Sequence, residues 1–92
     1  MALRLIVNLQ ALPGKTDDMI MTYNYLCPKV RKEPGCEHFE IFQNVEDPDN
    51  FVLLETWANQ ESLTAHSKLL GERALNLDTL RKRTVEPERY SI

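Results

Sequence analysis

The stretch Phe51-Val52-Leu53-Leu54-Glu55-Thr56-Trp57 is apolar at nearly every position, and this constrains the fold more than any other feature. A half-exposed strand alternates apolar and polar residues, whereas a near-continuous apolar run reads as a strand covered on both faces. A chain of 92 residues has few layers to offer. It reads as a single domain, residues 1–92, with a thin core. One layer of helices can cover one side of a sheet. Covering the other side requires a second sheet, most simply that of an identical subunit. Homodimerisation is therefore expected from the covering of this strand.

The remaining segments supply the layers. Ala2 to Gln10, rich in Leu, Ile and Val, reads as a first strand. Pro13-Gly14 breaks it, and Thr16-Asp17-Asp18 offers a cap and negative charge for a helix start. Met19, Tyr23, Leu26 and Val30 recur at helical spacing and predict one buried stripe. Pro28 predicts a kink or a loosened last turn, and Pro34-Gly35 ends the helix. A second strand is expected from Cys36 to Val45, with Phe39, Ile41 and Val45 on one face and Cys36, His38, Glu40 and Phe42 on the other. Glu46 to Asn50 has the composition of a hairpin loop. After the third strand, Asn59 can cap a helix from Gln60 to about Leu70, which Gly71 can end. Helical character resumes from Glu72 to Arg83, with Ala74, Leu77 and Leu80 on one face. The tail from Thr84 to Ile92 can form a last strand, which Pro87 assigns to an edge or interrupts. The order is strand, helix, strand, strand, helix, strand. This is the α+β, ferredoxin-like βαββαβ arrangement, with helices on one face of a four-stranded antiparallel sheet.

Charge and cysteine usage exclude several classes. From Glu33 to Glu61 there are eight acidic residues and neither Lys nor Arg, which reads as a solvated acidic face. The basic cluster Arg81-Lys82-Arg83 is too short for a nucleic-acid footprint. No apolar run reaches membrane-spanning length, and the first residues do not read as a leader. Cys27 and Cys36 do not make a disulfide framework, so a cytoplasmic protein with reduced thiols is the simplest expectation. His38 and His66 lack a second ligand at a metal-binding interval, so no metal site is expected.

The segment from Trp57 to His66 concentrates the chemistry. A strand ends at Trp57, Asn59 starts a helix, and His66 shares a helix face with Leu63. An indole and an imidazole are thereby expected beside one apolar pocket.

Five pieces in order, Pro13-Gly14-Lys15, Glu33-Pro34-Gly35-Cys36, Glu46-Asp47-Pro48, Glu55-Thr56-Trp57 and Ser62-Leu63-Thr64-Ala65-His66, resemble the antibiotic biosynthesis monooxygenase domain family. The resemblance implies a dimeric α+β barrel with a small pocket between the helices and the sheet of each subunit. It also implies, for several members, oxygenation of phenols or quinols by molecular oxygen without metal or flavin. One branch of the family degrades haem and another isomerises a small sugar-like signal. Asn8 matches the strand-one Asn of the haem-degrading branch, but His66 stands where that branch has a Trp, and Asn76 stands near the place of its axial His. Haem ligation thereby loses its main support.

What the resemblance implies is a cofactor-independent monooxygenase acting on a small phenol, quinol or polyketide-like aromatic, with molecular oxygen as co-substrate. Its alternatives are an isomerase on the same fold and a non-catalytic dimeric ligand-binding domain. Oxygen reacts slowly with closed-shell molecules, so the substrate must first lose a proton and become an electron donor inside a dry pocket. His66 suits the proton step, because imidazole as a group titrates near neutral pH. Trp57 suits an apolar wall with an N–H donor. Asn8 and Tyr23 are candidate substrate contacts: Asn8 as a donor to an oxyanion, Tyr23 as a hydroxyl closing the far wall. Each has a plainer structural reading. His66 could bond a backbone carbonyl, Trp57 and Tyr23 could be core, and Asn8 could sit at the sheet margin.

Overall fold

Strand β1 (Leu3–Gln10) and strand β3 (Asn50–Trp57) form the centre of a four-stranded antiparallel sheet, flanked by β2 (Cys36–Gln43) beside β3 and β4 (Glu88–Ser91) beside β1. The computed structural model describes residues 2–72, 77–82 and 86–92. Helix α1 (Thr16–Val30) links β1 to β2, and helix α2 (Gln60–Glu72) follows β3. A single 3-10 turn spans Leu77–Thr79. The expected ferredoxin-like order is present, and the apolar run Phe51–Trp57 occupies an inner strand with neighbours on both edges. Pro87 lies one residue before β4, which is an edge strand and needs no donor on its outer side.

The period of two decides what faces what. On β1 the odd positions Leu5, Val7 and Leu9 are buried, and on β3 Phe51, Leu53, Glu55 and Trp57 are buried on the same side through the register Leu3↔Trp57, Leu5↔Glu55 and Val7↔Leu53. Against this face packs the α1 stripe. Met19, Tyr23, Leu26 and Val30 are each at most 1% exposed. Each such side chain contributes roughly 1.5–3 kcal/mol on burial, so tertiary packing rather than local propensity holds the helix.

Four local expectations are corrected. The N-cap of α1 is Lys15, without a side-chain cap, and the Thr16 hydroxyl instead bonds Asp49 in the β2–β3 loop. Strand β2 ends at Gln43, and Val45 is 97% exposed in the loop rather than in a buried row. A register irregularity between Cys36 and His38 places Cys36 opposite Trp57, so it does not share the face of His38. Helix α2 runs through Gly71 to Glu72, because a glycine inside a helix is a cost of about 1 kcal/mol and not a stop. Pro28 leaves α1 intact for two more residues; the chain then leaves it through tighter bonds, from Lys32 N–H to Lys29 O and Glu33 N–H to Val30 O. Ala74 and Asn76 lie outside the described residues. Among the described residues, no helix is long and apolar enough to cross a membrane.

Candidate active site

Helix α2 starts where Asn59 Oδ1 accepts the backbone N–H of Ser62 at 2.9 Å. This is the expected asparagine cap. With the start set, Leu63, His66 and Leu70 fall on one face by the three- and four-residue spacing, and all three line a hollow between the helices and the sheet. Its floor is Leu5, Val7, Phe39, Leu53 and Glu55, and Tyr23, Leu26 and Arg81 complete the polar and apolar walls. The cavity volume is about 260 Å³. A cavity of roughly 150 Å³ suffices to bind benzene, so this one has room for a single substituted ring.

His66 is 5% exposed and is held on three sides. Its Nδ1 lies 3.0 Å from Glu33 Oε1. The Trp57 ring stacks on it at 4.6 Å between centroids and 29° between planes, and Phe39 meets it edge-on at 5.6 Å. A carboxylate only accepts, so Nδ1 carries the hydrogen toward Glu33. In the neutral ring, Nε2 then carries the free lone pair, and His66 lines the hollow. A buried carboxylate beside a buried imidazole also stabilises the imidazolium that proton uptake would create.

Glu33 is brought there by the turn that follows α1. The backbone N–H of Cys36 donates to Glu33 O, and the N–H of Ala58, at the end of β3, donates to Gly35 O at 2.8 Å. Gly35 has φ +81° and packs directly against Ser62. This contact ties the Glu33 turn to the first turn of the helix that carries His66.

A second carboxyl lies on the floor. Glu55 is 7% exposed, and its Oε1 accepts the Trp57 Nε1–H at 3.0 Å. Burial pushes its carboxyl above the usual carboxylate range, against the Trp57 hydrogen bond and the nearby His66 and Arg81. The folded protein thus holds a proton here that the unfolded chain releases at lower pH. Stability falls as pH rises from about 4.5, the ordinary value for this group, through the raised folded value, and stays lower above it. Glu55→Gln keeps an acceptor for Trp57 and removes the charge. It is expected to raise stability at pH 7 by roughly 1 kcal/mol and to leave stability at pH 3 unchanged. Denaturant unfolding at the two pH values checks this; a variant less stable at pH 7 would show that the ionised form is needed.

The third polar element is Arg81. Segment 77–82 is fastened to the end of β1 by Leu12 N–H to Leu80 O at 2.9 Å and Lys82 N–H to Gln10 O at 2.8 Å, with Arg81 bridged to Ala11. This turns the Arg81 side chain inward, where Nη1 donates to the Tyr23 hydroxyl at 2.9 Å. Burial raises the Tyr23 phenol above its ordinary value, so it remains a neutral hydroxyl.

Of the residues expected from sequence, His66 and Tyr23 line the hollow and Trp57 stands directly behind His66, fully buried. Asn8 does not join them. An even position of β1, it is exposed on the opposite face of the sheet and borders a separate hollow with Phe42 and Val52. Sequence reasoning did not place Glu33, Glu55 or Arg81 in the site. Glu55 had a readable signal, since it shares a strand face with Trp57 by the period of two. Glu33 lay within an acidic run and Arg81 within a basic triplet, where charge alone suggests solvent.

The family model described as Antibiotic biosynthesis monooxygenase matches residues 2–71. A conserved protein from Methanosarcina mazei has the same fold, with 25% identity, TM-score 0.85, and coverage of 98% of this chain and 91% of that one. A Pseudomonas aeruginosa protein is similar at 21% identity and TM-score 0.85, covering 97% of this chain and 91% of that one. A Deinococcus radiodurans protein, whose name carries the words antibiotic biosynthesis monooxygenase, aligns at 20% identity and TM-score 0.84 over 100% of this chain and 92% of its own. No curated protein matches the sequence.

Proposed function

From the premise that this chain belongs to the antibiotic biosynthesis monooxygenase family, we propose that it is a cofactor-independent monooxygenase of a small phenol or quinol, with His66 as the proton acceptor. The observation that carries this reading is the buried Glu33–His66 pair on the wall of an apolar hollow. His66 Nε2 takes the hydroxyl proton of the bound ring, and Glu33 stabilises the resulting imidazolium. The phenolate passes an electron to molecular oxygen, and the two radicals join in a new C–O bond. The O–O bond then breaks. For a quinol, one oxygen atom stays on the ring as a hydroxyquinone, and the other leaves as water with the two hydrogens the quinol has lost. Trp57 and Phe39 hold the imidazole between them and exclude water from it. The cavity volume of about 260 Å³ favours a one-ring substrate over a polycyclic one. Oxygen uptake with a panel of hydroquinones tests the reading, with wild type expected above background and His66→Ala near it. No uptake by wild type across the panel rejects this substrate class. Solvent deuterium entering a carbonyl substrate without oxygen uptake would assign His66 to isomerisation instead.

We infer further that two copies pair through the sheet face turned away from the helices. On that face Ile6 and Leu54 are register partners, as are Phe42 and Val52, and Tyr90 lies opposite Arg4. Phe42 is 50% exposed and Tyr90 47%, apolar surface that water disfavours. Sedimentation at micromolar concentration is expected to give a dimer, and Leu54→Asp a monomer. A wild-type monomer would count decisively against this pairing.

A further inference from the structure

We propose that the hollow selects aromatic ligands that carry a carboxylate, which Arg81 binds with the Tyr23 hydroxyl beside it. The proposal rests on reading the hollow as a substrate site and names the substrate class more narrowly, as hydroxylated benzoates rather than neutral quinols. Arg81 is half-buried and lines the cavity. Its one hydrogen-bonded side-chain partner among the described residues is the Tyr23 hydroxyl, and no carboxylate there lies within ion-pair distance of it. A guanidinium has five N–H donors in a planar fork, and a carboxylate is the group that matches two of them at once. Tyr23 accepts from Arg81, so its own O–H is left to donate to a second anionic oxygen.

Among the described residues, the two acids nearest the hollow do not pair with this cation. Glu33 is engaged with His66. Glu55, on the floor, has its Oε1 taken by Trp57, and burial favours its neutral form. A ligand carboxylate would thus enter a site that holds a positive charge and apolar walls, where charge-assisted bonds are stronger than in water. The backbone bonds that fasten segment 77–82 to β1 set the Arg81 main chain, and the bond from Nη1 to the Tyr23 hydroxyl holds the guanidinium, which lowers the ordering cost of binding. His66 lines the same hollow, so a ring anchored through its carboxylate could present a hydroxyl to the imidazole.

The test is calorimetric titration with two probes, 2,5-dihydroxybenzoate and 1,4-dihydroxybenzene, under anaerobic conditions. Wild type is expected to bind the benzoate at least ~10-fold more tightly than the neutral quinol, a single charge-assisted pair being enough for that ratio. Arg81→Gln should erase the preference, and Arg81→Lys should keep part of it, as a point charge without the fork. Equal or tighter binding of the neutral quinol by wild type overturns the proposal, as does an unchanged preference in Arg81→Gln. In either case the hollow remains an aromatic site. Failure of both probes to bind would overturn this proposal together with the reading of the hollow on which it rests.

Discussion

Gly35→Ala is expected to lower stability by about 3 kcal/mol, which for a domain of this size is a fall of more than about 10 °C in Tm. Two costs add. Gly35 has φ +81°, a left-handed conformation that costs an ordinary residue roughly 1–2 kcal/mol. A Cβ placed there would also lie 2.0 Å from Ser62 Oγ and 2.5 Å from Ser62 Cβ. Rotating the hydroxyl away does not relieve the second contact, because Cβ is fixed to the backbone of α2. The helix or the turn must move, and overpacking of this kind costs roughly 1–3 kcal/mol. Gly14→Ala separates the two contributions. Gly14 has φ +76° with nothing within 4 Å of the added carbon, so only the conformational cost of about 1–2 kcal/mol applies. Denaturant midpoints at constant slope measure both. Equal losses for the two variants would mean that the Ser62 contact is absorbed without strain. Gly35 also joins the turn bearing Glu33 to the helix bearing His66.

The largest expected effect on activity is at His66. If this imidazole accepts the substrate proton, His66→Ala should lower kcat by about 10²–10⁴-fold while leaving ligand binding in the hollow measurable. Added imidazole should restore part of the rate, a rescue that a merely structural histidine would not show. Glu33→Gln provides the finer comparison. The amide oxygen can still accept the Nδ1 hydrogen, so the ring keeps its orientation and loses only the negative charge that stabilises imidazolium. A loss of about tenfold in kcat with KM unchanged is expected. The rate of oxygen consumption measures all of these. Unimpaired uptake by His66→Ala would remove the imidazole from the chemistry, whatever its geometry.

The parts of the site that were legible beforehand are those that local periodicity controls. The helical stripe Met19, Tyr23, Leu26 and Val30 and the period-two face ending at Trp57 put an indole and a phenol on the helix-facing side of the sheet. The asparagine at position 59 sets where α2 begins, and the start of a helix determines which residues share a face, so His66 was placed with Leu63. Asn8 shows how sharp this rule is. It sits one residue from Val7, which lines the hollow, and one residue in a strand is the difference between its two faces.

Sequence by itself determined the order of elements, the helix-facing row of each central strand and the neighbourhood of Trp57 and His66, because these follow from repeats of two and of three to four residues along one segment. Only tertiary structure decided that Glu33, 33 positions away, bonds His66, and that Arg81, 58 positions from Tyr23, turns inward to meet it. Acidic and basic residues in charge-rich stretches look alike before folding. Which of them loses its water depends on how turns and chain ends dock across the sheet, and no local pattern encodes that docking.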